Sequence, residues 1–286
     1  MRKKILILGA SGMLGSTLYM FLNNQNLNVI GISRKNVFKN KSKIAIYRKL
    51  TFNNIDNIIN KLKPDYIINC TGVINHKIKK NLDEVFYINS VLPHYIAKKC
   101  LEKKIINIHI STDCVYDGKK GNYSEKNLPN ALDIYGISKT FGEVNLPNSI
   151  IIRTSIVGHE IKTKFGLLEW FLSQKKSKSI KGFNKAYFSG LTTFELSRII
   201  KEYFINKKYR FSNLVHIGGP RINKYSLIKI IGEVYGKKIR IKKSNFLKVD
   251  KSLNSMLFRK FTGYKLKSWK NMIKENKEFY ENIVKR

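Results

Sequence analysis

"KILILGASGMLGS", residues 4–16, decides how the rest of the chain is read. Ile5 to Leu8 form a short apolar run with the length of a buried strand, and the residues after Gly12 take up helical periodicity. Gly9, Gly12 and Gly15 stand where one would pass into the other, spaced G-x-x-G-x-x-G. A phosphate approaching such a turn needs backbone N–H groups with no side chain in front of them, and a helix N-terminus adds a favourable dipole. A purely structural strand–helix turn would also accept glycines. The position at the first strand of a βαβ unit favours a dinucleotide site.

Working outward, "NVIGIS" (28–33), "PDYIINCTG" (64–72), "IINIHIST" (105–112) and "NSIIIRTSIV" (148–157) are further β-branched runs separated by helical patterns. Buried strands alternating with helices mean a parallel sheet covered on both faces, an α/β Rossmann-type doubly wound fold. After Gly158 the rhythm changes to longer amphipathic segments, "FGLLEWFLSQ" and "TTFELSRIIKEYF" among them. The expected division is a dinucleotide-binding domain over 1–157, with 190–210 returning to it. Residues 158–189 and 211–286 then form a smaller, interleaved C-terminal substrate domain.

The chain has 286 residues, 55 Lys and Arg against 19 Asp and Glu, and a net charge of +36. The basic residues are spread along the whole length, without the stripe or tail of a nucleic-acid interface. They read as a solvated surface that attracts anionic small molecules, with no nucleic-acid partner. Three cysteines and five scattered histidines show no metal-ligand spacing, so no metal site is expected and the thiols are reduced. His109, on a strand, reads as a core residue. The start imitates a signal peptide, but its apolar run ends at Leu8 and no cleavage site follows. No segment reaches the ~18 apolar residues of a membrane span. A cytoplasmic protein without membrane insertion is expected.

At the end of the second run, "GISRKN" places Ser33 and Arg34 where an NAD site usually carries an acid. Arg suits the 2′-phosphate of NADPH, so NADPH is the expected cofactor, with NADH left open. "DIYGISKTFGE" holds Tyr135 and Lys139, four apart and therefore on one helix face. A free phenol titrates near pH ~10, and a neighbouring ammonium makes it a usable acid or base. Tyr and Lys at this spacing also occur by chance in so Lys-rich a chain. The weight comes from order: a glycine turn, then a strand ending in Ser111-Thr112, then Y-x-x-x-K.

With those elements in place the sequence resembles the extended short-chain dehydrogenases/reductases, and among them the dTDP-4-dehydrorhamnose reductase family. "ILGASGMLG", "PDYIINCTG", "STDCVYDGKKGNYSE", "YGISKTFGE", "IIRTS" and the tail "SLNSMLFRKFTGYKLKSW" carry the likeness. The resemblance implies a catalytic triad of Thr112, Tyr135 and Lys139. It implies that Tyr135 protonates a ketone oxygen, that Thr112 bonds the same oxygen, and that Lys139 holds the nicotinamide ribose and tunes Tyr135. Ser11, Gly12, Met13 and Leu14 would line the cofactor's diphosphate, with Gly72, Val73 and Ile74 along its length. In the related 4,6-dehydratases the Thr is followed by Asp and Glu. Here Thr112 is followed by Asp113 and Cys114, which implies reduction without dehydration.

The implied substrate is a nucleotide-activated 4-keto-6-deoxysugar, reduced for surface polysaccharide synthesis. Asp113, His159 and Arg259 are its expected contacts, Arg259 because its fork of donors suits a diphosphate. Ile156 stands where the rhamnose enzymes place an aromatic residue near the sugar, which leaves room for a related sugar such as an N-acetylated one on UDP. A nucleotide-sugar epimerase and a non-catalytic NADP-binding regulatory subunit remain alternatives within the resemblance, and a homodimer is left open.

Overall fold

Along the first strand, β1 (Lys4–Leu8), the four residues Ile5 to Leu8 are each at most 1% exposed, so both faces are covered. Ile5 and Ile7 join one apolar cluster with Leu14 and Leu18, while Leu6 and Leu8 join another with Ile55, Ile58, Ile59, Leu92 and Ile96. Strand alternation therefore feeds two helical layers, one on each side of the sheet. The computed structural model describes residues 3–25, 27–35, 38, 43–74, 81–161, 163–175, 177, 179–207 and 213–284.

After β1 come α1 (Met13–Asn23), β2 (Asn28–Ser33), β3 (Ile44–Ile46), α2 (Phe52–Leu62) and β4 (Tyr66–Asn69). A long helix follows in three pieces: α3 (Leu82–Phe86), a π-helical turn (Tyr87–Val91) and α4 (Leu92–Glu102). Then come β5 (Ile106–Ile110), α5 (Ile134–Phe141), β6 (Ser149–Arg153) and β7 (Ile156–Val157). The remaining elements are α6 (Leu167–Ser173), β8 (Ser179–Phe183), β9 (Ala186–Phe188), β10 (Leu191–Thr192), α7 (Thr193–Ile199) and β11 (Leu214–His216). Beyond these lie β12 (Ile222–Asn223), α8 (Lys224–Val234), β13 (Arg240–Ser244), β14 (Val249–Asp250), α9 (Met256–Thr262) and α10 (Trp269–Phe279).

Seven parallel strands form the central sheet in the order β11-β6-β5-β4-β1-β2-β3. The chain winds outward from β1 to β3, then crosses back to β4 and winds the other way. The reversal between β1 and β4 is the switch point at which doubly wound sheets bind ligands, outside the carboxyl ends of the strands. The smaller sheets pair β7 with β10, β8 with β13, and β9 with β12 and β14.

One boundary differs from the sequence reading. Leu214–His216 was expected in the smaller domain, yet β11 pairs in parallel with Ile151–Arg153 of β6 and forms the edge of the central sheet. Val215 and Ile217 are fully buried against that sheet, which is why a short strand with few apolar residues finds its place there. On the same side α7 packs on α1, and Thr17 Oγ1 meets Thr193 Oγ1 at 3.1 Å.

Candidate active site

The glycine turn leaves β1 with Gly9 at φ +79°, a conformation that favours glycine. A Cβ there would stand 3.0 Å from the carbonyl carbon and oxygen of Cys70, at the end of β4. Gly12 donates its amide to Gly9 O at 2.9 Å and forms the N-cap of α1 with no side-chain cap, and Gly15 lies buried in the first turn. Ser11, Met13 and Leu14 complete this turn, Leu14 packing into the core. Bare backbone at a helix start, beside the switch point, fits the diphosphate of a nicotinamide dinucleotide.

Ser33 is buried at the end of β2 and donates Oγ to Lys35 O at 2.7 Å. Arg34 is exposed and lies 3.4 Å from Glu84 of α3. Across the switch point, Gly72 and Val73 follow β4, with Val73 buried and Ile74 38% exposed. The buried Asn89 of the π-helical turn grips this segment, accepting the Val73 amide at 2.8 Å and donating to Val73 O at 2.9 Å. It also donates to Ser138 Oγ at 3.0 Å, tying the loop to α5. Asn89 was not singled out in the sequence; a polar residue on an otherwise apolar helical face is its only trace.

Tyr135 and Lys139 lie on α5, whose N-terminus is capped by Asp133 accepting the Gly136 amide at 2.8 Å. A Cβ at Gly136 would stand 2.2 Å from Cys114 O, so glycine lets the helix lie directly on the turn that follows β5. That turn carries Thr112, which accepts the Cys114 amide at 3.1 Å and donates Oγ1 to Asp113 Oδ1 at 3.3 Å. Burial pushes the Tyr135 phenol above its ordinary range; the Cys114 thiol adds to this, and a hydrogen bond with Thr112 opposes it. The structure thus sets Thr112 and Tyr135 at the same end of the sheet, where α5 lies on the turn after β5. Burial also raises the Cys114 thiol to about 12, so it is a neutral group at this position.

Lys139 is only 3% exposed. Its Nζ donates to Ile110 O at 2.8 Å and lies 3.3 Å from His109 Nε2. Burial brings the ammonium down to about 8, against the opposing charge of Glu143. Glu143 is held by Arg153 at 2.6 and 2.9 Å and by Ser111 at 2.5 Å. Asp113 is raised by burial and drawn back down by Lys251 and by hydrogen bonds with Cys114, Thr112 and Ser155. Lys251, far along the chain, was likewise invisible in the sequence as a neighbour of Asp113.

The expected sugar contacts fare unevenly. Ile156 lies in β7 and packs partly into the core. His159 is corrected: Glu169 accepts from its Nδ1 at 2.6 Å, Tyr235 OH occupies its Nε2 at 2.7 Å, and Tyr280 stacks on the ring at 3.7 Å. With both nitrogens used by the protein, it has no group left for a sugar. Arg259 sits on α9, and its buried Nε meets no acceptor among the described residues. Also among the described residues, no cluster of three or more His, Cys, Asp or Glu could hold a metal, and no helix is long and apolar enough to cross a membrane.

The family described as the RmlD substrate binding domain matches residues 2–183. The chain belongs to this family. It is thereby placed among the extended short-chain dehydrogenases/reductases, in a group of NAD(P)-dependent sugar-nucleotide oxidoreductases. A curated dTDP-4-dehydrorhamnose reductase of Aggregatibacter actinomycetemcomitans is 27% identical over 252 residues, 82% of this chain and 81% of that protein. Among solved structures, a hypothetical dTDP-4-dehydrorhamnose reductase from Sulfolobus tokodaii is 28% identical, with a TM-score of 0.77 over 93% of this chain and 97% of that one. The Bacillus anthracis dTDP-4-dehydrorhamnose reductase in complex with NADP, 19% identical, shares the fold at a TM-score of 0.81 over 97% and 99% of the two chains.

Proposed function

We propose that this family member reduces, with NADPH, the 4-keto group of a nucleotide-activated 6-deoxyhexulose, in the service of surface polysaccharide synthesis. One observation carries the reading: Thr112, on the turn that α5 packs against, and Tyr135 and Lys139, one helical turn apart on α5, line the carboxyl edge of the sheet beside the bare glycine turn. The neutral Cys114 thiol, where elimination chemistry needs a carboxylate, favours reduction without loss of water.

The residues divide the work. Gly9, Ser11, Gly12, Met13, Leu14 and Gly15 would hold the cofactor's diphosphate, with Ser33 and Arg34 toward the adenosine ribose. Gly72, Val73 and Ile74 would lie along it, fixed by Asn89. When bound, the nicotinamide supplies the hydride. Tyr135 is kept protonated by burial and is therefore a proton donor toward the ketone oxygen, with Thr112 orienting that oxygen by a hydrogen bond. Lys139 would hold the ribose next to Tyr135. Asp113 and Arg259 remain the candidate contacts for sugar and diphosphate, and the protein's share of catalysis is alignment and proton supply.

The test follows NADPH absorbance on adding the protein to freshly made dTDP- and UDP-linked 4-keto-6-deoxysugars, with Tyr135→Phe as control. The reading expects stoichiometric NADPH oxidation that the substitution abolishes. NADPH binding with no oxidation of either substrate class would overturn the reductase assignment and favour a regulatory subunit. Interconversion of sugars without net NADPH consumption would favour an epimerase.

A further inference from the structure

Behind Lys139 lies a buried ladder of polar groups whose protons can be assigned one after another. The Thr71 amide has only a proton to offer and gives it to Asn69 Oδ1 at 3.0 Å, with Thr71 Oγ1 2.6 Å from the same oxygen. This fixes the Asn69 side chain, because the flipped amide would set its NH2 against an N–H. Asn69 Nδ2, which carries only protons, faces His109 Nδ1 at 3.2 Å. Nδ1 must therefore accept. A neutral imidazole has one N–H, so that proton sits on Nε2. Nε2 points at Lys139 Nζ, 3.3 Å away.

An ammonium has three protons and no lone pair, so it meets the Nε2–H of His109 donor to donor. An amine has a lone pair to receive that proton and still has two of its own, one for Ile110 O at 2.8 Å. A charged His109 would not relieve the conflict, and its burial and the neighbouring Lys139 and His94 hold the ring far below its ordinary titration range. We propose that the Thr71–Asn69–His109 ladder favours the amine form of Lys139, with Asn69 and His109 as positioning residues that make this lysine a proton-exchanging group near neutral pH instead of a permanent cation.

The other groups facing Lys139 do not reverse this. Glu143, just past the C-cap of the same helix, favours the ammonium, but its carboxylate is already engaged by Arg153 and Ser111. Cys70, at the end of β4, is raised to about 12 by burial and stays a neutral thiol. Tyr135, on its own helix, is likewise held neutral by burial. The lowering of Lys139 to about 8 is in keeping with the hydrogen-bond argument, which stands without it. The catalytic meaning of the ladder rests on the reading of Lys139 given above; the protonation pattern does not.

The test is nitrogen NMR on the full-length, cofactor-free protein labelled with 15N-histidine and 15N-lysine, the signals assigned with His109→Gln and Lys139→Met. The expected result is a neutral His109 protonated on Nε2 at every pH from about 6 to 9, beside a Lys139 titrating well below an ordinary lysine. Asn69→Leu removes the fixed donor without adding charge. It is expected to release the tautomer and raise the proton affinity of Lys139 about tenfold, one pKa step. An Nδ1–H tautomer in the wild type overturns the proposal, and so does a Lys139 midpoint that stays put in folded Asn69→Leu. If that variant does not fold, the wild-type tautomer decides alone. None of these signals requires turnover, so the reductase reading and the ladder can fail independently.

Discussion

Asn89 closes a ring on Val73, accepting the Val73 amide through Oδ1 at 2.8 Å and donating Nδ2 to the Val73 carbonyl at 2.9 Å. One side chain thereby satisfies both backbone groups of a buried loop residue and hands its second Nδ2 proton to Ser138 of α5. Val73, after β4, is thereby tied to the helix of Tyr135 and Lys139.

Asn89→Ala would leave the Val73 N–H and C=O buried without partners. The expected cost is roughly 2–4 kcal/mol of stability, since an orphaned buried polar group costs on the order of 1–3 kcal/mol. Because the freed loop is a proposed cofactor contact, NADPH affinity is expected to fall by about tenfold, ~1.4 kcal/mol. Urea denaturation and cofactor fluorescence titration check the two parts; an unchanged NADPH affinity in the destabilised protein would separate the loop from cofactor binding.

Arg34 reaches Glu84 across 3.4 Å with both side chains about half exposed or more, a pairing that leaves the guanidinium open to a stronger anion. A 2′-phosphate is such an anion and a ribose hydroxyl is not. Arg34→Ala is therefore expected to weaken NADPH binding about tenfold and leave NADH binding within about twofold, a change of only a few tenths of a kcal/mol. Equal losses for both cofactors would remove Arg34 from the 2′-phosphate site.

How far the sequence could be read follows from what each signal depends on. Alternating strands and helices, the glycine turn and the Tyr135–Lys139 spacing are local, so the doubly wound fold and the members of its candidate site were legible. The edge strand Leu214–His216 was not assigned to the central sheet, because its membership rests on pairing with β6 some sixty residues earlier. Asn69, Asn89 and Lys251 escaped for the same reason: each owes its place to partners on other elements. His159 misled in the opposite direction. Its position after β7 suggested a ligand contact, while Glu169, Tyr235 and Tyr280, from three separate segments, claim the ring for the structure.

That reassignment has its own consequence. His159→Phe keeps a ring for Tyr280 to stack on but strands the largely buried Glu169 carboxylate and takes one partner from the Tyr235 hydroxyl, which keeps Asn276. A loss of roughly 1–3 kcal/mol is expected, mostly from the unpaired carboxylate. The KM for the keto-sugar should stay within about twofold, a few tenths of a kcal/mol. A large rise in KM at unchanged stability would return His159 to the substrate site.

Lys139 supplies a pH-dependent test of its burial. In the folded protein burial lowers its ammonium from 10.5 to about 8. Below pH 8 both folded and unfolded chains carry the proton, and the folded state bears the full cost of a buried charge. Between about 8 and 10.5 the unfolded chain binds more protons than the folded one, so stability rises with pH across that window. The size is on the order of 3 kcal/mol, from the pKa difference between the two states. Methionine has a similar reach and no charge, so Lys139→Met is expected to be more stable than wild type by about that amount at neutral pH, less whatever Glu143 loses as a neighbour. The advantage should shrink steadily as pH rises through the window, because only the wild type sheds a proton there. Urea denaturation of both proteins at closely spaced pH values reads the difference directly. A stability gap that does not change with pH would mean that Lys139 enters the fold with an ordinary proton affinity, and that its burial is compensated by charges nearer than Glu143.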